Sequence, residues 1–455
     1  MIWKNARSHI APAYLLACLL LGGSGQTIWL NASLQLGAVI ILGWALVQGS
    51  AQKIPREAKH LAILVAVSLV LVALQLTPLP PALWQALPGR RMVAGGLSLL
   101  SLPPGWQPLS LAPYDTISAV LALLPPLAML SAIIVLRAFT RAGLAVALLI
   151  GCALGICLGV FQVGASETNA ARFYLQSEYD GGTASGFFAN PNHMATLLLL
   201  SLPFLAALFS SGLKSANASR RPVVLLLGAI GTLLFAVGLL LNGSLAGLGL
   251  AIPVLVLSGL IMVKVPGWVA KVAFIMAGFL AISYVVVLAT PLNRTVFHGA
   301  KAASISTRQD FYRTGIKVAR DYLPVGSGLG TFPRVYRIKE DPRTIDPTVF
   351  VNHAHDDYLE ILIETGLPGI LLVLAFLSWW SLSTVRLIRA PSVDRFALAG
   401  AIGAATIFVH SVVDYPLRTS AIAASLAMCF SLMALPKSRA NSEQDFRPTR
   451  HVEIY

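Results

Sequence analysis

The sequence predicts an all-α integral membrane protein with about 12 transmembrane helices, and three observations carry that prediction. Charged residues make up only 11% of the chain and hydrophobic residues 56%, whereas a soluble domain carries about 25% charged residues. Mean hydropathy is +0.75. Apolar runs of about 20 residues, the length that crosses a bilayer as a helix, recur from end to end. Cys18, Cys152, Cys157 and Cys429 all lie inside such runs, where a thiol behaves as a small hydrophobe; a disulfide framework or zinc site would need cysteines clustered in polar sequence. The net charge of +14 would suit a nucleic-acid partner in a soluble protein. In a membrane chain, basic residues hold loops on the cytoplasmic side instead, and no nucleic-acid partner is expected.

In chain order, the expected spans fall at about 11–30, 32–50, 60–77, 116–136, 142–163, 193–211, 222–241, 245–263, 268–290, 366–388, 396–413 and 419–435. Lys4 and Arg7 before the first run also resemble a signal peptide. No small-residue cleavage site follows Leu21, so the run is read as a helix. Every second loop is basic, beginning with Lys4 and Arg7, then Lys53, Arg56 and Lys59, and ending with the tail after Lys437. The short loops between them hold only Arg90, Arg91, Arg172 and Arg418. This alternation puts both termini in the cytoplasm. The expected organisation is spans one to nine over 1–290, an extracytoplasmic loop domain over 291–365, spans ten to twelve over 366–435, and a polar cytoplasmic tail over 436–455. Residues 78–115, rich in proline and glycine with apolar patches, read as a segment lying along the outer interface.

The loop domain gathers ten Lys and Arg residues on the side that short loops keep free of them, which points to an anionic ligand. Within it, Ser306 to Leu323 reads as an amphipathic helix capped by Ser306 or Thr307. Phe311, Gly315, Val318 and Tyr322 fall on one face, and Arg313, Lys317 and Arg320 on another. Arg308 falls in the expected first turn, where a guanidinium beside free backbone amides suits a phosphate. Gly326, Gly328 and Gly330 form a glycine-rich turn, read as a tight connector, since no strand precedes it and no nucleotide fold fits a helix bundle.

The densest chemistry is Val351 to Gly369, which holds His353, His355, Asp356, Asp357, Glu360 and Glu364 in a chain that otherwise hardly uses charge. Imidazoles with carboxylates can ligate zinc or manganese. They equally suit acid–base work, in which a neutral imidazole removes the proton of an attacking hydroxyl. A solvated helix start with acidic capping is the bland alternative. Upstream, Gly181 to Ala195 puts Asn190, Asn192 and His193 at the start of the sixth span, where Asn-Pro-Asn can cap the helix or its amides can hold a sugar or diphosphate. His410, Asp414, Tyr415 and Arg418 form a further polar group, in which Asp414 and Arg418 are expected to pair.

GFFANPNHMA, STRQDFYRTGIKVARDYLPVGSGLGTF and NHAHDDYLEILIETGLPG, in this order and spacing over about residues 180 to 390, resemble the O-antigen ligase and polymerase superfamily. The resemblance implies a GT-C-like membrane glycosyltransferase of the bacterial inner membrane. It would transfer a glycan from undecaprenyl diphosphate to an acceptor hydroxyl, on lipid A core or a similar molecule, on the periplasmic face. Inversion at the sugar, no metal and no other cofactor are implied as well. Residue by residue, it makes Arg308 a binder of the leaving diphosphate and His355 the base for the acceptor, with His353 as a close substitute. Arg313 and Arg172 are possible helpers at the diphosphate, and Asn190, Asn192, Asp357 and Glu364 are possible substrate contacts. The arginine that many members carry before the glycine preceding Asn-Pro-Asn is replaced here by Thr183 and Ala184, so the diphosphate site departs from the family pattern.

A polymerase, using a second lipid-linked repeat unit as acceptor, shares every one of these features. A transporter of polysaccharide or lipid suits twelve spans, but the expected spans carry almost no charge and no two halves repeat.

Overall fold

The computed structural model describes residues 6–25, 28–49, 54–164, 184–262, 300–340 and 350–435, with Ile275 and Ile282; of 300–307 it describes the backbone alone. The described residues are helical nearly throughout. The first three helices are α1 (Ile10–Leu21), α2 (Ile28–Gln48) and α3 (Arg56–Leu76). A two-residue antiparallel ribbon, β1 (Pro78–Leu79) with β2 (Gln107–Pro108), encloses the short helices α4 (Pro81–Ala86) and α5 (Arg91–Leu99). There follow α6 (Pro113–Ala122), α7 (Leu124–Ile134), α8 (Arg141–Gly164), α9 (Pro191–Ser215), α10 (Arg221–Asn242) and α11 (Leu245–Met262). The loop-domain helices are α12 (Ala300–Tyr322) and α13 (Phe332–Arg337), and α14 (Asp357–Arg389), α15 (Arg395–His410) and α16 (Ser420–Ala434) complete the fold.

Among the described residues, seven helical stretches are long and apolar enough to cross a membrane: α2, α3, α6 with α7, α8, α9, α10 and α14. The shorter apolar helices α1, α11, α15 and α16 fall on four other expected spans, and the expected span at 268–290 lies outside the described residues. The stretch expected as one span at 116–136 is one such stretch, Pro113–Ile134, whose hydrogen bonding is interrupted at Leu123 because Pro125 and Pro126 cannot donate into the preceding turn.

Two patterns of burial separate the helices. α9 and α16 bury residues on every side, Leu197 to Leu200 and Met428 to Cys429 among them, as a helix apolar all round must when it lies inside a bundle. α9 packs against α8, α10, α11 and α15, and α16 against α1, α7 and α15. By contrast, α2, α3 and α10 carry exposed Ile40, Leu46, Val70, Leu227 and Leu233, an apolar outer belt suited to lipid.

A second core, of Val318, Tyr322, Phe332, Tyr336 and Ile363, joins α12 and α13 to the start of α14. The face predicted from Phe311, Gly315, Val318 and Tyr322 is the one that packs: Val318 and Tyr322 are buried and Gly315 lies against Leu359. The helix itself is longer than expected. Since α12 already runs from Ala300, Ser306 and Thr307 are interior positions and cannot cap it. Arg308 is therefore not in a first turn, and the helix-terminus argument for anion binding at Arg308 falls away.

The glycine-rich turn is the connector between α12 and α13. Gly326, Gly328 and Gly330 all have positive φ (84°, 114° and 82°). The amides of Gly326, Ser327 and Gly328 donate to the carbonyls of Tyr322, Ile363 and Glu364, so these three are not free for an anion. The same turn is stitched to the 78–115 segment: the Arg90 guanidinium donates to the carbonyl of Gly326 (3.4 Å), and Leu111 N donates to Ser327 O. That segment exposes Leu99, Leu100, Leu102 and Trp106 on one side while anchoring the loop domain on the other.

Candidate active site

The stretch Val351–Gly369 enters α14 with Asp356 as its cap, the carboxylate accepting from Tyr358 N and Leu359 N. The side chains then divide between two clusters that meet at Tyr415.

The first cluster is built on Asp414. Its carboxylate is completely buried and accepts from Asn190 Nδ2 (3.1 Å) and Asn192 Nδ2 (2.6 Å) at the start of α9. His193 Nε2 lies 3.4 Å from Oδ1, and an Arg308 guanidinium nitrogen lies 3.5 Å from Oδ2. Burial opposes ionisation of this carboxyl, but the His193 contact and the Arg308 charge outweigh it and hold Asp414 well below the usual carboxylate range. The pair expected between Asp414 and Arg418 does not form: Tyr415 to Arg418 make a short turn that sends the two side chains into different clusters.

His355 stands on the edge of this cluster. Its backbone is left-handed (φ +54°), a conformation uncommon outside glycine. Its Nδ1 is 3.1 Å from the carbonyl oxygen of His353. Only an N–H can satisfy that contact, so Nε2 is left as the acceptor. The ring lies edge-on to Tyr415 (4.9 Å between centroids) and against Phe311 (5.3 Å). Burial lowers its pKa to about 4; Asp414 opposes the shift and the Arg308 charge adds to it. His355 is therefore neutral at neutral pH.

The second cluster is built on Arg418. Its guanidinium faces Glu364 (3.1 Å), Glu360 (3.3 Å) and Asp357 (3.6 Å). All three carboxylates are buried on successive turns of α14. Only the planar five-donor fork of arginine reaches three such partners at once. The remaining oxygens accept from Ser411 Oγ and Leu417 N at Asp357, from Phe332 N at Glu364, and from Ala354 N at Glu360. Glu360 also holds His353 by Nδ1 at 2.9 Å. His353 is tilted over the ring of Tyr415, with 4.3 Å between centroids and 33° between planes.

A cavity of about 1110 Å³ opens on the His353 side. Asn190, His193, His353, Tyr415 and Arg418 line it, whereas Arg308, His355 and Asp414 do not.

Among the sequence-predicted site residues, Arg308, His355, His353, Asn190 and Asn192 are thus brought together around Asp414 and Tyr415. Asp357 and Glu364 are taken up in holding Arg418, and the Asn192 amide is filled by Asp414 and Ser244. Arg313 is not brought to the site; it lies on the exposed face of α12, 3.5 Å from Asp310. Arg172 lies outside the described residues. No group of three or more His, Cys, Asp or Glu among the described residues is arranged for a metal ion; the imidazoles face a carbonyl and a carboxylate that are already engaged.

One comparison with known families gives a match. Residues 230–374 match the family model described as O-antigen ligase. Over this stretch the chain is similar to the O-antigen ligase family. The match runs from α10 into α14 and takes in Arg308, His353 and His355, while Asn190 and Asp414 lie outside it. No curated protein matches the chain. The match and the apolar helices support a membrane enzyme of ligase or polymerase type, a family that implies lipid-linked polysaccharide substrates.

Proposed function

We propose that the protein is an inverting GT-C-type glycosyltransferase of the inner membrane, which moves a glycan from undecaprenyl diphosphate to an acceptor hydroxyl on the periplasmic face. The observation that carries this reading is the meeting of a partly exposed cation, Arg308, and a neutral imidazole, His355, at Asp414–Tyr415. The acceptor oxygen attacks the anomeric carbon, and the bond from that carbon to the diphosphate oxygen breaks with its electron pair on the diphosphate. Arg308 offsets the growing charge on that leaving group, an electrostatic role that commonly carries much of the rate. His355 Nε2 takes the proton of the attacking hydroxyl.

The chemistry is the same whether the acceptor is lipid A core, as in a ligase, or a second lipid-linked unit, as in a polymerase. One experiment addresses both the chemistry and the acceptor. In a deletion strain, a ligase defect leaves long polymer on its lipid carrier, and a polymerase defect leaves single units. Complementation with the wild-type gene restores the product, and His355→Ala, with His353 intact, is expected to lower transfer about 10²–10⁴-fold. Full transfer by His355→Ala would remove His355 as the base, and an unchanged glycan profile on deletion would remove the reaction.

A further inference from the structure

The segment between α3 and α6 has two unlike sides. Its inner side is bound to the loop domain: Arg90 is buried and donates to Gly326 O, Leu111 N donates to Ser327 O, and Gly89 approaches the Tyr322 ring too closely for any Cβ. Its outer side is bare. α5 buries none of its nine residues, and Leu99 and Leu100 are 89% and 70% exposed. Met92, Val93, Leu99 and Leu100 share one face, since positions seven apart lie two turns along the same stripe.

Such a helix does not hold itself in water. Helices shorter than about 12–15 residues are marginal even in alanine-rich chains, and α5 carries Gly95 and Gly96 in its interior, where glycine is among the poorest helix formers. Removing the apolar face from water is what can stabilise it. Three observations say what removes it. β1 follows α3 after Thr77 alone, and its pairing with β2 holds the root of the segment at the ends of two stretches able to cross a membrane, Arg56–Leu76 and Pro113–Ile134. Exposed apolar side chains run on into both, at Val70 and Leu74 and at Ile117 and Leu121. Between Thr77 and Tyr114 the sequence holds two charged residues, Arg90 and Arg91; Arg90 is buried, so Arg91 is left to face outward. Trp106 and Tyr114, both exposed, are residue types that favour the level of lipid headgroups.

We propose that α5 and the loop to Trp106 are a lipid-docking surface. Met92, Val93, Leu99 and Leu100 enter the acyl region of the leaflet on the side of the loop domain, Trp106 sits at the headgroups, and α5 lies in the membrane plane. Composition alone marks 78–115 as interfacial; the exposed face says which side chains enter lipid and which hold protein. Through Arg90 and Leu111 the docked segment seats the glycine-rich turn, and with it the start of α14, at the bilayer surface. This holds whichever reaction the site performs.

The test uses the full-length protein in nanodiscs of phosphatidylethanolamine and phosphatidylglycerol, with the exposed free thiol removed as Cys157→Ser. Leu100→Cys and, separately, Met92→Cys carry the environment-sensitive fluorophore NBD. Lys339→Cys, exposed after α13, is the aqueous reference. Lipid bearing a nitroxide on its acyl chain is expected to quench the probes replacing Leu100 and Met92, and aqueous iodide to spare them, with the reverse at Lys339. Their emission is expected at shorter wavelength than that of the reference. Iodide quenching equal to the reference would leave the face in water and overturn the proposal. Protection from both quenchers would put protein on the face, a second copy of this chain included, and overturn it equally.

Discussion

At the scale of residues, the site turns on how two histidines two positions apart acquire different environments. His353 meets a carboxylate, whereas His355 meets a carbonyl and the field of Arg308. A histidine shifted down to about 4 keeps its neutral, proton-accepting form through the physiological range. Initial-rate kcat/KM is therefore expected to stay level from pH 8 down to about 5 and to fall near 4, because this parameter reports the free enzyme; an acid limb near 6.5 would mean an ordinary, solvated base. The same shift bears on stability with a definite sign. The unfolded chain binds the His355 proton first, so folding loses free energy as pH falls from about 6.5 towards 4. Returning acid-treated enzyme to neutral pH separates this loss from the titration of the base. Asp356 acts in the opposite direction, since burial raises its pKa to about 6, and its protonated form favours the folded state below that value.

At the scale of elements, the start of α14 and the glycine-rich turn form one unit. Gly366 breaks α14 with φ +63° and ψ −154°, which frees Leu367 N to donate to Pro324 O. Any Cβ there would collide with the Pro324 carbonyl and with Val325. Gly366→Ala is expected to cost at least about 1–3 kcal/mol, visible as a lower melting temperature in detergent together with lost transfer; an unchanged melting temperature would contradict the packing described here. Much of this region was legible in the sequence. The helical face of Phe311, Gly315, Val318 and Tyr322 and the Asn190 cap each follow from local rules of spacing and propensity. The start of α12 was misplaced because Ser306 and Thr307 are good caps by type, whereas the helix was already under way at Ala300. Asp414 as a hub was not legible. The i,i+4 rule that suggested an Asp414–Arg418 pair holds only within a helix, and Pro416 makes this a short 3₁₀ turn.

At the scale of the whole molecule, the outer belt of exposed Ile, Leu and Val on α2, α3 and α10 agrees with a membrane location, and the alternation of basic loops sets an expected orientation. Labelling with a membrane-impermeant thiol reagent checks it. Lys339→Cys, exposed after α13, is expected to react in intact spheroplasts, and Arg220→Cys, before α10, only after the membrane is opened. The reverse pattern would invert the protein and put the site on the cytoplasmic side. The Asp414 hub also has a consequence in time. Asn192 lies 222 residues ahead of the carboxylate that its amide serves. At a synthesis rate of about 5–20 residues per second, the interval is roughly 10–45 s. Throughout it, α9 sits in the bilayer with two amides awaiting a partner, and only the arrival of the turn between α15 and α16 closes the account. A nascent chain stopped before Asp414 therefore carries two amides that the finished protein pairs with a carboxylate, a mark by which incomplete copies can be distinguished from complete ones.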